Sequence, residues 1–184
     1  EAKQWDEAAE MMEGLRRVEP GYRADEVSAL IYTATLNAAR ALWQEQRWEE
    51  AMLKYDRALA ANNKDPNAVT ERYLASLYVR GLSAWNIDWK RAIESYIEIV
   101  KVDPSYMDAT ARLYEAHMLN GELLLNRLDK PCAAEEQFGL AAKVSDTAAA
   151  KSKRVEAAAQ CVIALAKYTA QVLGKEATSA AGSA

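Results

Sequence analysis

The sequence predicts an all-α protein built as a stack of antiparallel helix hairpins, an α-solenoid, with a capping helix at its C-terminal end. Two observations predict this fold. One motif recurs with a period of about 42 residues, which is typical of stacked helical repeats. The composition is rich in alanine and holds only 7 Gly, 4 Pro and 1 Phe among 184 residues, which favours helices over sheets.

The recurring motif consists of an aromatic residue or proline, an alanine three residues later, and a second aromatic residue or methionine four residues after that. Its four copies are Trp5-x2-Ala8-x3-Met12, Trp48-x2-Ala51-x3-Tyr55, Trp89-x2-Ala92-x3-Tyr96 and Pro131-x2-Ala134-x3-Phe138. The alanines of successive copies are 43, 41 and 42 residues apart. Because spacings of three and four residues keep the motif on one helical face, we interpret its residues as core positions in the second helix of each hairpin.

The helix boundaries follow from this motif and from the prolines. The motif predicts second helices at residues 2–18, 48–62, 89–102 and 131–144. Prolines at the starts of the intervening segments mark points where one helix stops and the next begins. They predict longer first helices at residues 22–45, 66–86 and 105–126.

A final helix, predicted at residues 147–173, lacks the motif. Cys161, Leu165, Tyr168 and Val172 recur in it at spacings of 4, 3 and 4 residues along one face. Charged residues occupy the other side of this helix. One apolar face and one polar face are typical of a helix that caps a stack of repeats.

These helices form a single predicted repeat domain over residues 1–174. Its parts are a half repeat at 2–18, repeats at 22–62, 66–102 and 105–144, and the capping helix at 147–173. Since the half repeat lacks its first helix, we expect Glu1 to be a boundary or processing site within a longer protein. Residues 175–184 are mostly small and polar, which predicts a flexible tail or linker.

The charge and hydropathy of the chain restrict its partners. The formal net charge is −4, with both signs mixed along the sequence. Such a protein lacks the positive surface that nucleic acids require, so the sequence predicts no nucleic-acid partner. Stacked helical hairpins present extended surfaces, and the predicted partner is a protein or peptide segment. No run of roughly 18 apolar residues occurs, so the sequence predicts no membrane span within these residues.

The repeat resembles the tetratricopeptide repeat (TPR), a helix–turn–helix unit of about 34 residues. The second-helix motif carries most of the likeness, and the small residue that the family places in the first helix is found at Ala39, Gly81 and Gly121. The extra length of the repeats lies mainly in the first helices, and the chain resembles extended TPR segments of envelope-anchored bacterial proteins. The resemblance implies a right-handed superhelix whose concave groove, lined by the first helices, holds a peptide.

The resemblance also implies which side chains would contact the peptide. The main candidates for peptide binding are Arg40, Trp43, Tyr78, Leu82, Trp85, Met118 and Glu122. The other places of the implied groove are Thr33, Leu36, Gln44, Ala75, Asn86, Glu115, Leu125 and Asn126. Trp43 and Trp85 have an alternative role, in which they pack the corners of their hairpins. Some members of the family hold a terminal carboxylate with a clamp of Lys and Asn, and this chain has Leu36, Arg40, Tyr78 and Leu82 at those places.

The two cysteines lie on either side of the turn that the sequence predicts at residues 145–147. Cys132 and Cys161 are equidistant from that turn and would face each other across an antiparallel hairpin, which predicts a disulfide. The alternative is a pair of buried thiols in an alanine-rich interface. A disulfide would indicate an oxidising, extracytoplasmic location such as the bacterial envelope or cell surface. The alternative location is the cytoplasm.

The sequence predicts no enzymatic activity, no cofactor and no metal. His117 is the single histidine, and we interpret it as a packed structural residue of an amphipathic helix. Two cysteines and one histidine are too few for a zinc site. No glycine-rich phosphate loop or GxSxG elbow occurs in the sequence.

The predicted function is therefore a non-catalytic scaffold that binds a protein or peptide through its concave face, as part of a larger protein. One alternative is a homo-oligomerisation module. In that alternative the N-terminal helix forms a homodimer through a stripe made of Trp5, Ala8, Met12 and Leu15. Another alternative is a sensory or regulatory appendage of an enzyme elsewhere in the same polypeptide.

Overall fold

A computed structural model describes the backbone of residues 1–181 and the side chains of residues 1–173. Within this range the chain forms eight α-helices and no β-strand, which confirms the all-α prediction. The helices are α1 (Ala2–Val18), α2 (Ala24–Gln44), α3 (Trp48–Ala61), α4 (Pro66–Ala84), α5 (Trp89–Val102), α6 (Ala109–Asn126), α7 (Pro131–Val144) and α8 (Ala148–Ala181).

The helices that carry the recurring motif agree closely with the prediction. α1, α5 and α7 have the predicted bounds, and α3 ends one residue earlier than predicted. The first helices are shorter than predicted, most of all α6, which begins at Ala109 rather than at 105. The segment after Pro104 forms a turn in which Met107 adopts a left-handed conformation with φ 49°, and such a residue interrupts a right-handed helix.

Each first helix is followed by a corner with one left-handed polar residue. These residues are Gln46, Asn86 and Asp129, with φ between 49° and 62°. The first corner is closed by two backbone hydrogen bonds, from Gln46 to Trp43 at 3.1 Å and from Arg47 to Leu42 at 3.0 Å. This pair of bonds satisfies carbonyls at the helix end and turns the chain sharply into the next helix.

α8 is longer than the predicted capping helix and is covered over only part of its length. It runs to Ala181, into the segment predicted as a tail. The last three residues of that segment lie outside the described part of the chain. Cys161 is buried, but Leu165 and Tyr168 of the same predicted stripe are exposed. The reason is that the chain turns back after α7, so the first residue of α7, Pro131, lies at its far end. α8 is longer and continues past that end.

The chain divides into two compact units, Glu1–Arg80 and the part from Gly81 onward, with the boundary inside α4. In the first unit, α2 packs on both α1 and α3. α1 and α3 are also joined by two ion pairs, Lys54 to Asp6 and Arg57 to Glu13, each with an N–O distance of 2.5 Å. Since the paired residue numbers rise together, α1 and α3 run in the same direction.

In the second unit, α6 packs on both α5 and α7, and α7 packs on α8. The two glycines of the first helices lie against aromatic rings of the second helices. A Cβ atom at Gly81 would lie 2.7 Å from Cζ of Tyr96, and one at Gly121 would lie 2.6 Å from Cε1 of Phe138. Both rings are fully buried. Only a residue without a side chain permits so close an approach of the ring. Gly81 and Gly121 are two of the small residues that were predicted in the first helices.

A tyrosine contact recurs in both units and was not foreseen from the sequence. The Tyr32 hydroxyl donates to the Asp65 carboxylate at 2.6 Å, and the Tyr114 and Thr147 hydroxyls are 2.8 Å apart. The sequence separation is 33 residues in both cases. Asp65 and Thr147 also accept backbone N–H bonds in the first turns of α4 and α8. Each tyrosine therefore ties one first helix to the N-terminal cap of the next.

Candidate functional site

Trp43, a candidate peptide-binding residue, belongs to the core of the first unit. Its side chain is 5% exposed. Its ring lies edge-on to Trp48, with centroids 4.5 Å apart, and to Tyr78, with centroids 5.8 Å apart. Such edge-to-face pairs stabilise a buried corner. The packing alternative therefore describes Trp43.

Tyr78 is also a core residue rather than a surface residue, with 3% of its side chain exposed. Other places of the implied groove are buried as well: Leu36, Ala75 and Leu125. These positions were assigned to a ligand by resemblance alone. In the structure they are occupied by contacts within the unit, because each first helix packs against more than one neighbouring helix.

Arg40 is exposed, and its guanidinium is already engaged. It donates two hydrogen bonds to the Glu71 carboxylate, at 2.9 and 2.6 Å, and this pairing raises the pKa of Arg40. Glu71 also contributes to the pKa of the buried Tyr55, which is raised to about 12, chiefly by desolvation. A ligand carboxylate would have to displace Glu71 to bind Arg40.

Trp85 is less buried than Trp43, although both precede the same motif. It is half-buried, with its ring edge-on to Trp89 at 5.3 Å and to Tyr96 at 6.0 Å. The guanidinium of Arg112, on α6, lies 5.6 Å from the centre of the Trp85 ring. Part of an aromatic ring and a cation are thus presented together in the second unit.

α6 carries further candidate residues beside Arg112. Glu115, Met118 and Glu122 are spaced by three and four residues and share one side of the helix. Glu115 is exposed, and the other two are half-buried. The Met118 side chain packs against the cluster that contains Phe138. Leu82, on α4, is half-buried too. We call Glu115, Met118 and Glu122 the α6 stripe.

A cavity of about 450 Å³ lies where α6 begins and α7 ends. Its lining is mainly apolar and includes Met107, Ala111, Tyr114 and Val144. Ala111 is one turn before Glu115, so the cavity lies at the N-terminal end of the α6 stripe. Asp108 contributes a carboxylate to its rim and accepts a 2.9 Å hydrogen bond from Arg112. The volume is that of a pocket for one large side chain or a small ligand.

The other residues singled out by the sequence have structural surroundings. His117 is buried in the α6–α7 hairpin, as expected for a packed histidine, and its Nδ1 atom is 2.9 Å from Oε1 of Gln137. Burial lowers the pKa of His117. Cys132 and Cys161 are paired at disulfide distance, with Cα atoms 4.7 Å apart, as the sequence predicted. The pair joins the first turn of α7 to α8.

The N-terminal stripe proposed for self-association has a mixed environment. Trp5 is exposed, whereas Ala8, Met12 and Leu15 are half-buried. Part of the stripe is therefore covered within the first unit. Pairing of α1 with a second copy stays a prediction.

Sequence reasoning missed Glu71 and Arg112, the charged partners of Arg40 and Trp85. A signal was present, because the two residues are 41 residues apart, which is one interval of the recurring motif. The two tyrosines of the recurring contact, Tyr32 and Tyr114, are 82 residues apart, which is twice this interval. An alignment of the sequence with itself at this interval would have revealed both recurrences.

Two further observations limit the chemistry of the site. Among the described residues there is no cluster of three or more His, Cys, Asp or Glu side chains that could hold a metal ion. In the same part of the chain no helix has the length and apolar character needed to cross a membrane.

No family model, curated protein or solved structure matches the sequence. The site is therefore interpreted from its own residues.

Proposed function

We propose that this chain is a non-catalytic protein-binding scaffold of the TPR type, a right-handed superhelical stack of hairpins capped by α8, within a larger protein. Support comes from the 42-residue motif interval and from contacts that recur at fixed places of the repeat, such as the tyrosine bonds to helix caps and the glycines against aromatic rings. Contacts that recur from one repeat to the next are the basis of solenoid folds.

The observation that carries the proposal is the group formed by Trp85, Arg112 and the α6 stripe. Partly exposed tryptophan and arginine side chains are the residue types that dominate binding energies at protein interfaces. The neighbouring cavity offers an apolar pocket, and Glu115 and Glu122 give this side of α6 a negative charge. The ligand that fits is a peptide segment with one large apolar side chain and at least one basic residue.

The surroundings of the ionisable groups favour binding over catalysis. The single imidazole, that of His117, is buried and its pKa is lowered, so it is not presented to a substrate at the α6 surface. The carboxylates of Glu13, Glu50 and Glu71 are engaged by arginines. A general base needs access to the proton that it removes.

We propose an extracytoplasmic location for the protein, as in the bacterial envelope. The support is the pairing of Cys132 with Cys161, since such pairs persist in oxidising compartments. The test is mass spectrometry of thiol alkylation on protein taken directly from cells without reductant. Two alkylated thiols per chain would contradict this location.

The binding proposal is tested by selection from a phage-displayed library of random peptides on the immobilised protein. Enriched peptides should share an apolar residue near a lysine or arginine. Their affinities are then compared by fluorescence polarisation for the wild type, Arg112→Ala and Glu122→Lys. Each substitution should weaken binding by roughly tenfold or more, because each removes or reverses a group in the proposed site.

The matched control is Glu94→Lys, which makes the same charge change on the exposed face of α5. It should leave the affinity within about twofold, since exposed ion pairs contribute little. Circular dichroism checks that each variant is folded. The proposal is wrong if enriched peptides bind Arg112→Ala and Glu122→Lys as tightly as they bind the wild type.

A further inference from the structure

The outer part of α8, up to residue 173, presents apolar side chains that no described part of the chain covers. α8 packs on α7 through a face whose last buried residue is Cys161. Across residues 162–173 every side chain is exposed except the half-buried Val172. Lys167 is the only charged residue in this range. A helix that is apolar on most of its surface is normally covered by another element.

The exposed residues include a heptad pattern. The first positions of the heptads are Val155, Val162 and Thr169, and the fourth positions are Ala158, Leu165 and Val172. Val155, Val162 and Leu165 are 70%, 66% and 56% exposed, respectively. Apolar residues at the first and fourth positions of successive heptads form the contact between paired helices. We call these six residues the α8 seam.

The α8 seam does not suit another hairpin of the repeat. α6 and α8 align through Ala116 and Ala157, which are 41 residues apart and both fully buried. This alignment puts Val162 at the place of Gly121. Gly121 is needed there because the Phe138 ring of the second helix lies against it. A second helix with such a ring would clash with Val162, whereas a helix with small and β-branched residues would fit.

We propose that α8 pairs with α8 of a second copy of this chain, in an antiparallel arrangement with its two-fold axis between Val162 and Leu165. Val155 of one copy then lies opposite Val172 of the other, and Val162 lies opposite Leu165. The contact continues the same helix that already packs on α7, so each α8 lies between α7 and the second copy. A two-fold pairing needs only this one surface.

The charge distribution favours antiparallel pairing. Lys151, Lys153 and Arg154 cluster at the N-terminal end of α8, where each pairs with one carboxylate, of Asp146, Glu156 and Glu135 respectively. Lys151 also continues the series of fourth positions. Parallel helices would bring the two basic clusters together, with the Lys151 side chains opposite each other, and like charges so placed repel. Antiparallel helices put the clusters at opposite ends of the contact, about 30 Å apart.

The size of the contact sets the expected strength of the dimer. Residues 155–172 span about 27 Å of helix. A single pair of helices of this length is at the small end of specific interfaces, so a dissociation constant of the order of micromolar is expected. The dimer should therefore form and dissociate within an accessible range of concentrations.

Sedimentation velocity from about 1 to 200 μM tests the proposal over the range that such a dissociation constant requires. The mass of the wild type should rise from 20.4 kDa towards twice that value. Leu165→Asp introduces a charge into the α8 seam and should weaken association by roughly 30-fold. Gln160→Asp adds the same charge on the opposite, exposed side of α8 and should dimerise like the wild type. A wild type that stays monomeric, or equal association of the two variants, would overturn the proposal.

Cross-linking distinguishes the direction of pairing. Because Cys132 and Cys161 are paired, an introduced cysteine is the only free thiol. After mild oxidation, a mixture of Val155→Cys and Val172→Cys should give a covalent heterodimer, detected by mass, in excess of either homodimer. Predominant homodimers of each variant would indicate parallel helices and overturn the antiparallel arrangement.

Two alternatives to pairing through the α8 seam, self-association through α1 and binding of α8 to lipid, are tested by further measurements. Trp5→Glu tests pairing through α1, since it charges the exposed residue of the N-terminal stripe. Its dimerisation should equal that of the wild type, and loss of the dimer would assign self-association to α1 and overturn the proposal. Co-sedimentation with phosphatidylcholine vesicles of a chain that remains monomeric would assign the apolar surface to lipid instead.

Discussion

Substitution of Gly121 by alanine should destabilise the α6–α7 hairpin, although alanine is the better helix former. In the structure the added Cβ would lie 2.6 Å from Cε1 of Phe138 and 2.9 Å from two other atoms of its ring. Favourable contacts between carbon atoms require about 3.5–4.0 Å. One of the two helices, or the ring, must therefore shift by about 1 Å.

The surroundings of Phe138 decide the size of the effect. Its ring is fully buried in a cluster with Leu125, Ala134 and Ala157, so it cannot move without displacing them. Overpacking of this kind costs about 1–3 kcal/mol. Alanine in place of glycine returns about 0.5–1 kcal/mol through the lower backbone entropy of the unfolded chain. The expected net loss in the free energy of unfolding is about 1–2 kcal/mol.

Urea unfolding monitored by far-ultraviolet circular dichroism measures this loss as a lower midpoint at an unchanged slope. Gly14→Ala is the matched control, because Gly14 lies in α1 and a Cβ there would meet no atom within 4 Å. The control should gain about 0.5–1 kcal/mol. Hydrogen exchange of the α6 and α7 amides locates the destabilisation in the second unit.

A second substitution tests the cause. In the Gly121→Ala background, Phe138→Leu should lower the free energy of unfolding by less than it does in the wild type, because the smaller side chain relieves the overlap. The difference between the two decreases, which is the coupling energy, should be about 0.5–1 kcal/mol or more. If Gly121→Ala stabilises the protein as much as Gly14→Ala does, the close approach of the ring is not a constraint and the reasoning is refuted.

Three further outcomes are expected. Reduction of the cysteine pair, which spans 29 residues, should lower the free energy of unfolding by about 3–4 kcal/mol through the entropy of the unfolded chain; an unchanged urea midpoint with dithiothreitol would contradict it. Arg57 lowers the pKa of Glu13 through its hydrogen bond. The pair therefore contributes to the free energy of unfolding above the unfolded pKa of about 4.5, and this contribution is lost as the pH falls through the lower folded pKa. Glu13→Gln should be less stable than the wild type at pH 7, and the difference should vanish in acid. Tyr114→Phe removes the bond to Thr147 and should cost about 0.5–1.5 kcal/mol, whereas Tyr22→Phe at an exposed site should have no measurable effect.

The helices were predictable because their signals are local. An aromatic residue and an alanine three residues apart recur at the starts of α3 and α5, and both helices begin at the predicted residue. Proline at the start of α4 has the same local meaning. The start of α6 was not predictable in this way, because the left-handed Met107 follows Pro104 by three residues and leaves no sequence signal.

The candidate site was predictable only in part. Trp43 and Trp85 each lie four residues after the small residue of their first helix, Ala39 and Gly81 respectively. In the structure Trp43 is enclosed by Trp48 and Tyr78, whereas Trp85 is half-buried under Arg112. The difference comes from which side chains the neighbouring helices supply, and a pattern within one helix does not contain that information.

The sequence by itself determined the period and the helices, because each depends on spacing along the chain. It also brought Cys132 and Cys161 together, since residues equidistant from a turn meet across a hairpin. Only the tertiary structure decided which apolar faces are covered. Cys161 and Leu165 belong to one stripe, yet the first is buried and the second exposed. The physical reason is that burial requires a second surface, and α7 begins at Pro131, too late in the chain to face the outer part of α8.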